Sequence, residues 1–282
     1  MLARLSLAVL LALPASGLRA DLLVYEGFDY PYASNEPLTG KIGGMGFTGA
    51  WQAGVHPTTG VSEDSLLIND NGLAYPMLAT VGNAAWDNSG GSQANYRAWD
   101  SSGYTGTGDV LWFSFLFNTS SVSTSSELRI FALGSDTYSS GAGAMAFTNA
   151  TPAQEGKGML HAQLGGSRSG GLLYDHDTDN LVVGRVDFTG NDSAGSVTVW
   201  LNPSRNAEPI AADGVTRTGT TSTAAWTNLY ARGGSAWRGQ LDELRIGTSF
   251  FDVVPVPEPA SGLLAMLGMV GVLLVRCRRR RC

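Results

Sequence analysis

Between residues 21 and 252 the apolar positions of this chain fall in short alternating or unbroken runs, bounded by Gly/Asn/Ser clusters, and helical spacing is nearly absent. The clearest runs are 22–25, 65–68, 94–98, 110–117, 127–133, 159–164, 181–188, 196–201, 229–232 and 240–246. Strand-length runs with turn chemistry between them predict an all-β, two-sheet antiparallel sandwich. Leu111 to Phe117 is almost wholly apolar, which predicts a central strand covered on both faces. Residues 196–201 alternate, with Val197 and Val199 facing inward and the other face wet. Pro203 ends that strand, because proline cannot continue a central ladder. Gly-rich loops are expected at 40–60, 87–108 and 134–158, and a polar loop at 202–225. No internal repeat is visible, so 21–252 reads as one domain.

The two ends follow different rules. Residues 1–20 carry an early Arg4, an apolar stretch from Leu5 to Leu13, Pro14 and then small residues up to Ala20. This is the pattern of a secretory signal peptide cut after Ala20, with a cut after Gly17 as the alternative. Residues 253–261 form a Pro-rich linker in which Pro255, Pro257 and Pro259 favour extended backbone. Residues 262–275 are apolar and 276–282 are basic. From 260 to 275 no residue is charged; at ~1.5 Å per residue this helix reaches roughly 24 Å, short of the ~30 Å hydrocarbon core unless flanking arginines snorkel. A short transmembrane helix over 262–275 is expected, its arginine end in the cytoplasm and the body outside.

Composition narrows what the body does. Seven of the 18 Lys+Arg lie in the two ends, and of the 24 Asp+Glu only Glu258 does. The body therefore holds 11 cations and 23 anions and is near −12, against −6 for the whole chain. Such a balance argues against nucleic acid as a partner. Both cysteines, Cys277 and Cys282, are in the tail, so the body has neither disulfide nor thiolate chemistry, and its stability must come from a buried core.

In the tail, Pro257-Glu258-Pro259, the apolar run and the cluster Arg278, Arg279, Arg280, Arg281 stand in the order of a PEP-CTERM sorting signal, which they resemble. The resemblance implies export, an exosortase-type sorting enzyme as partner, anchoring in the inner membrane before sorting, and the cell surface or extracellular matrix as destination. An unprocessed C-terminal anchor is the alternative. In the body, Leu23-Val24-Tyr25-Glu26-Gly27-Phe28-Asp29-Tyr30, Gly43-Gly44-Met45-Gly46-Phe47 with Trp51, the run 181–188, Leu201-Asn202-Pro203 and Gly239 to Gly247 resemble exported PEP-CTERM proteins with concanavalin A-like, LamG-like jelly-roll bodies. That implies a jelly roll whose first and last strands lie side by side, and, loosely, recognition of extracellular polysaccharide.

Candidate chemistry is sparse. Jelly-roll glycoside hydrolases resembling laminarinases carry Glu-x-Asp-x-x-Glu on one strand, and this chain has no such run; no catalytic residue is assigned. Asp242 is expected to share a face with Leu244 and Ile246 in a structural role, and Glu243 and Arg245 to form a solvated pair on the other face. Asp175, Asp177 and Asp179 alternate in a tight segment, as the first ligands of a calcium loop do. Asn180 stands where glycine is needed and Val186 where a bidentate glutamate is needed, so an acidic hairpin loop and a calcium site both stay open, with Asp187 and Asp192 as further ligands. Trp51, Trp86, Trp99, Trp226 and Trp237 lie in or near Gly/Asn-rich segments and are the candidate sugar-stacking platforms, while Trp112 and Trp200 are expected in the core. The expectation is a non-enzymatic, exported protein that binds or organises extracellular polysaccharide, with a structural matrix component as the alternative and a divergent glycan-active enzyme as the third reading.

Overall fold

The computed structural model describes residues 21–255 apart from 32–33, 56–61, 63, 77, 79, 81, 88–92, 123–127, 135–143, 151–155, 166, 191–192, 220–225 and 234–236. In 121–122, 128–131, 144–150 and 237–238 it describes the backbone alone. The expected signal peptide with its cut at Ala20, Asp192, the motif Pro257-Glu258-Pro259, the apolar run 262–275 and the arginine cluster lie outside the described residues. Among the described residues no helix is long and apolar enough to cross a membrane.

Among the described residues fifteen strands follow in chain order. They begin with β1 (Leu22–Glu26), β2 (Gln52–Ala53), β3 (Leu67–Asn69), β4 (Ala84–Asp87) and β5 (Ala94–Ala98). The long β6 (Val110–Val122) is followed by β7 (Leu128–Gly134), β8 (Ala144–Ala150), β9 (Lys157–Leu164) and β10 (Ser167–Asp175). The last five are β11 (Asn180–Gly190), β12 (Ser193–Leu201), β13 (Val215–Thr218), β14 (Asn228–Arg232) and β15 (Trp237–Gly247), and a short helix α1 (Phe250–Val253) closes the body. They build two stacked antiparallel sheets, the expected jelly-roll sandwich. The eight-stranded sheet runs β13-β12-β11-β6-β15-β4-β3 with β1 also paired to β15, and the seven-stranded sheet runs β10-β9-β8-β7-β14-β5-β2. The first and last strands pair, Leu22 opposite Gly247 and Glu26 opposite Leu244, as the resemblance implied.

Every predicted run contains or overlaps a strand, and β6 is central, flanked by β11 and β15. Residues 111–117 are all buried, on both faces. Phe113 and Phe115 stack in the main core (centroids 6.5 Å), where the Phe113 ring lies so close over Gly184 that a Cβ there would meet it at 1.9 Å. The misses are β2, β4, β8, β10 and β13. β8 falls in the loop expected at 134–158 and β13 in the one expected at 202–225; Ala/Thr/Asn- and Thr-rich segments carry no strand signal of their own and are held by ladder hydrogen bonds to their neighbours.

Three local expectations are corrected. The outer face of β12 is not wet: Thr198 and Trp200 are buried alongside Val197 and Val199. Asp242 does not share a face with Leu244 and Ile246. The register shifts between Asp242 and Arg245, with Glu243 at φ 52, and this bulge turns Leu241, Leu244 and Ile246 into the main core while Asp242 pairs with outward Leu116. Glu243 and Arg245 are a buried pair, not a solvated one, at 2.7 Å.

A second, smaller core lies on the outside of the eight-stranded sheet. Trp112 stacks on Trp200 (5.6 Å) and meets Phe250 of α1 edge-on (5.6 Å), with Leu73, Leu116 and Val254 around them. Helix α1 is fixed by a capping box between Ser249 and Asp252. The buried Arg205 donates to the carbonyls of Pro76 (3.0 Å) and Pro255, tying the covering segment and the exit of the chain together.

Candidate functional site

Most of the predicted stacking platforms are not available to a ligand. Trp51, Trp99 and Trp226 are 1–2% exposed and belong to the main core. Trp51 donates its indole N–H to Glu26 Oε2 (3.0 Å) and to the Tyr30 hydroxyl (3.1 Å). Glu26 also accepts from Arg97 (2.8 Å), whose guanidinium lies 4.0 Å over the Phe47 ring. This buried ion pair and its aromatic walls order the segment from Gly43 to Trp51; they do not face solvent. Trp226 meets Phe188 edge-on at 5.0 Å. Trp86 is half-buried on the outer side of β4, opposite Leu67 and Gln240. The side chain of Trp237 lies outside the described residues.

The three aspartates of the acidic segment are not brought together. Asp175 ends β10 and pairs with Lys157 (2.5 Å). Asp179 accepts from Asn118 Nδ2 (2.6 Å) and from the Ala74 N–H (2.9 Å). Asp177 is exposed with φ 55, its N–H bonded to the Thr119 carbonyl. The segment is no hairpin either: β10 is in the seven-stranded sheet and β11 in the eight-stranded one, so it crosses between sheets. Asp187 bonds Arg185 and Ser196. Among the described residues no group of three His, Cys, Asp or Glu is arranged to hold a metal ion.

The strand-borne acids are also occupied. Asp242 accepts from the Leu73 N–H (2.8 Å) and the Glu243 N–H (2.7 Å), and burial raises its pKa to about 8 despite those bonds. Glu243 accepts from the Tyr25 hydroxyl (3.2 Å) as well as Arg245, and burial, with Glu243 beside it, holds the Tyr25 phenol well above its usual range.

What sequence reasoning missed is a row across the outer side of the seven-stranded sheet. Register places Gln52 opposite Tyr96, Tyr96 opposite Tyr230, Tyr230 opposite Ala132, Ala132 opposite Met145, Met145 opposite Gln163 and Gln163 opposite Arg168. Directly opposed residues share a face, so one line passes through all seven strands; six strand spacings make it roughly 29 Å long. Leu229 and Ala231 on β14, and Leu160, Ala162 and Leu164 on β9, point into the main core, which puts Tyr230 and Gln163 outside. The Tyr96 and Tyr230 rings lie 6.0 Å apart, and the Tyr96 hydroxyl donates to Gln52 Oε1 (2.5 Å). Tyr230, Ala132 and Gln163 are only 3–4% exposed, the Gln163 Oε1 without a partner among the described residues, while Gln52 and Arg168 are exposed and Tyr96 is half-exposed. His161, next along β9, places Nδ1 3.0 Å from the Ser169 carbonyl, and with Met159 it leans over Gly171, where a Cβ would have no room. The only sequence signal for this row is the alternation at 94–98 and 159–164; its alignment across strands is a tertiary property.

Residues 255–280 match the PEP-CTERM protein-sorting motif. No curated protein matches the chain in sequence. Among solved structures it is similar to the globular domain of T. cruzi calreticulin, with 9% identity, 92% of this chain and 100% of that chain covered, and a TM-score of 0.46. It is also similar to the exoplasmic/lumenal domain of VIP36 in its Ca2+/Man-bound form (10% identity, 61% and 81% covered, TM-score 0.38). A third is an alginate lyase from Pseudomonas aeruginosa (14% identity, 60% and 83% covered, TM-score 0.34). The sorting motif marks the chain as an exported protein that is sorted at the membrane by an exosortase.

Proposed function

We propose that this exported protein is a non-catalytic polysaccharide-binding module of the cell surface or extracellular matrix, held at the inner membrane by its 262–275 helix until sorting. The observation that carries the reading is the transverse row from Gln52 to Arg168. The exposed Gln52 and half-exposed Tyr96 at one end of the row and the exposed Arg168 at the other offer a ring face for sugar C–H groups and amide and guanidinium groups for hydroxyls, while Tyr230, Ala132 and Gln163 between them are buried. The separation of the exposed ends suits an extended polymer better than a single sugar. The non-catalytic reading is supported by Asp242 and Glu243, whose carboxylates are committed to backbone N–H groups, Tyr25 and Arg245.

The test is retention of the purified chain on a glycan array and on insoluble polysaccharides, including the matrix of the producing cell. Wild-type retention and a tenfold or greater loss for Tyr96→Ala are expected, tenfold being about 1.4 kcal/mol. Absence of wild-type binding to every polysaccharide would leave a structural surface component without a glycan ligand.

A further inference from the structure

The segment that covers the outside of the eight-stranded sheet begins with the only Asn-Gly pair in the chain, Asn71-Gly72. The pair follows β3 closely, and both residues are exposed. The next residue, Leu73, is buried in the outer core with Trp112, Trp200 and Phe250, and its N–H is held by Asp242 Oδ2 (2.8 Å). The Ala74 N–H is held in turn by Asp179 (2.9 Å). The Asn71 side chain is not locked: its Nδ2 reaches Asn69 Oδ1 at 3.5 Å and Asp70 Oδ1 at 3.4 Å, both longer than a good hydrogen bond. Gly72 is fixed by packing, since a Cβ there would meet the Gly82 carbonyl oxygen at 2.6 Å and Asp242 Oδ2 at 3.2 Å. Close packing of the covering segment thus places a glycine directly after an exposed asparagine.

We propose that Asn71 is a site of spontaneous modification, at which deamidation to aspartate and isoaspartate loosens the covering segment from the eight-stranded sheet. The backbone nitrogen of Gly72 attacks Cγ of Asn71. A C–N bond closes a five-membered succinimide, the Cγ–Nδ2 bond breaks, and the amide nitrogen leaves as ammonia with the proton lost by Gly72. Water then opens one of the two imide C–N bonds, giving aspartate or isoaspartate. Glycine favours the first step because it has no side chain to obstruct the nitrogen and the widest choice of backbone angles. Asn95, Asn118 and Asn180 are held in β5, β6 and β11 and precede Tyr96, Thr119 and Leu181. Asn206 is exposed like Asn71 but precedes Ala207, which makes it the internal comparison. Isoaspartate adds a methylene to the main chain, about 1.5 Å of extra length just before the N–H that Asp242 holds. Either product adds a carboxylate beside Asp70 and one residue from the contact with Asp242, where like charge is unfavourable. Leu73 is drawn from the outer core as a result. The reaction consumes only water, so it is independent of the polysaccharide reading.

The experiment ages the full chain at mildly acidic and at mildly alkaline pH and follows its asparagine peptides by mass spectrometry, with isoaspartate separated from aspartate by elution. The Asn71 peptide should gain one mass unit roughly tenfold or more faster than the Asn206 peptide, and faster at alkaline pH, because the attacking nitrogen must lose its proton. The isoaspartate fraction, isolated by its added negative charge, should unfold at lower urea concentration than fresh protein. Asn71→Gln, whose longer side chain closes a less favourable ring, should match fresh wild type and lose the ageing effect. Asn71→Asp carries the new charge without the extra methylene and should unfold closer to fresh wild type than the isoaspartate fraction does. Modification of Asn71 no faster than Asn206 would overturn the site. Modification that leaves the urea midpoint unmoved would overturn the loosening while keeping the chemistry. The wild-type ageing series does not depend on either variant folding.

Discussion

Trp112 and Tyr230 both lie buried on the outward side of their sheets, and their surroundings differ. Trp112 is sandwiched by Trp200 and Phe250 under a lid made of α1 and the segment around Leu73. Tyr230 has Tyr96 beside it and Ala132 next in the row, a cluster of two buried residues with one half-buried neighbour. The sheet that receives the lid is the one containing β15, because the chain leaves β15 through Gly247, turns at the Ser249–Asp252 cap and lays its last residues back over the same sheet. Gly247 is required at that turn, since a Cβ there would meet Asp252 Cβ at 2.4 Å. The end of the body is thus spent on sealing one face, and the opposite face keeps Gln52, Tyr96 and Arg168 at its surface.

The sharpest way to break this comparison is to delete an aromatic ring from each face. Trp112→Ala should cost about 3–5 kcal/mol of unfolding free energy, the range for removing a large buried ring. Tyr96→Ala, half-exposed and outside both larger cores, should cost about 1 kcal/mol while abolishing most polysaccharide retention. Urea unfolding measures both. Equal costs would mean that the two faces are covered alike and that the seven-stranded side is no more a binding face than the other.

The seal contains its own titratable element. Asp242 lies under the covering segment and holds the Leu73 N–H, with a folded-state pKa raised to about 8 from 3.8. A raised carboxylate pKa means the folded state binds the proton more tightly than the unfolded state. Its stabilising contribution is therefore complete below about pH 4 and is lost as pH climbs through 8. At 1.36 kcal/mol per unit the contribution is on the order of a few kcal/mol. Unfolding free energy of the wild type should fall from pH 5 to pH 8.5, and Asp242→Asn should remove most of that slope. A slope unchanged in Asp242→Asn would place the pH response elsewhere among the body's many acids. The Asn variant should also lower stability at pH 5, because one amide oxygen cannot serve both the Leu73 and Glu243 N–H groups.

How much of this was legible in the chain follows from where each signal resides. The apolar run at 111–117 announces a central strand because both of its faces are written in the same residues. The pairing of β1 with β15 came from resemblance, and no local pattern states it. Thr- and Ala-rich β13 and β8 were silent because a strand held by its neighbours' ladder needs little side-chain signal. Strict alternation misplaced Asp242, since one bulged residue, Glu243, inverts the face of what lies on either side of it. Trp51, Trp99 and Trp226 were misread for a related reason: Gly-rich surroundings suggested exposure, yet Trp51 is enclosed by Phe28, Tyr30, Glu26 and Arg97, a group gathered from two separate segments. The row from Gln52 to Arg168 depends on seven registers at once, and no window of sequence contains it.

The smallest effects belong to the acidic segment, and they sharpen the comparison because that segment crosses from the seven-stranded sheet to the eight-stranded one. Asp179 holds two donors, Asn118 Nδ2 on β6 and the Ala74 N–H in the covering segment. Asp179→Ala should cost about 1–2 kcal/mol, the range for leaving such donors unsatisfied. Asp177 is exposed and no side-chain bond anchors its carboxylate among those described, so Asp177→Ala should change stability by no more than about 0.5 kcal/mol. Calcium provides the second arm. A bound ion stabilises the folded state by mass action, so a converging site would raise the unfolding midpoint with calcium concentration. With Asp175 turned to Lys157 and Asp179 to Asn118, calcium should leave the midpoint unmoved in both wild type and Asp177→Ala. A calcium-dependent rise that disappears in Asp177→Ala would show that the three carboxylates regroup around the ion, and the crossing segment would then be a ligand site in its own right instead of a strut beneath the seal.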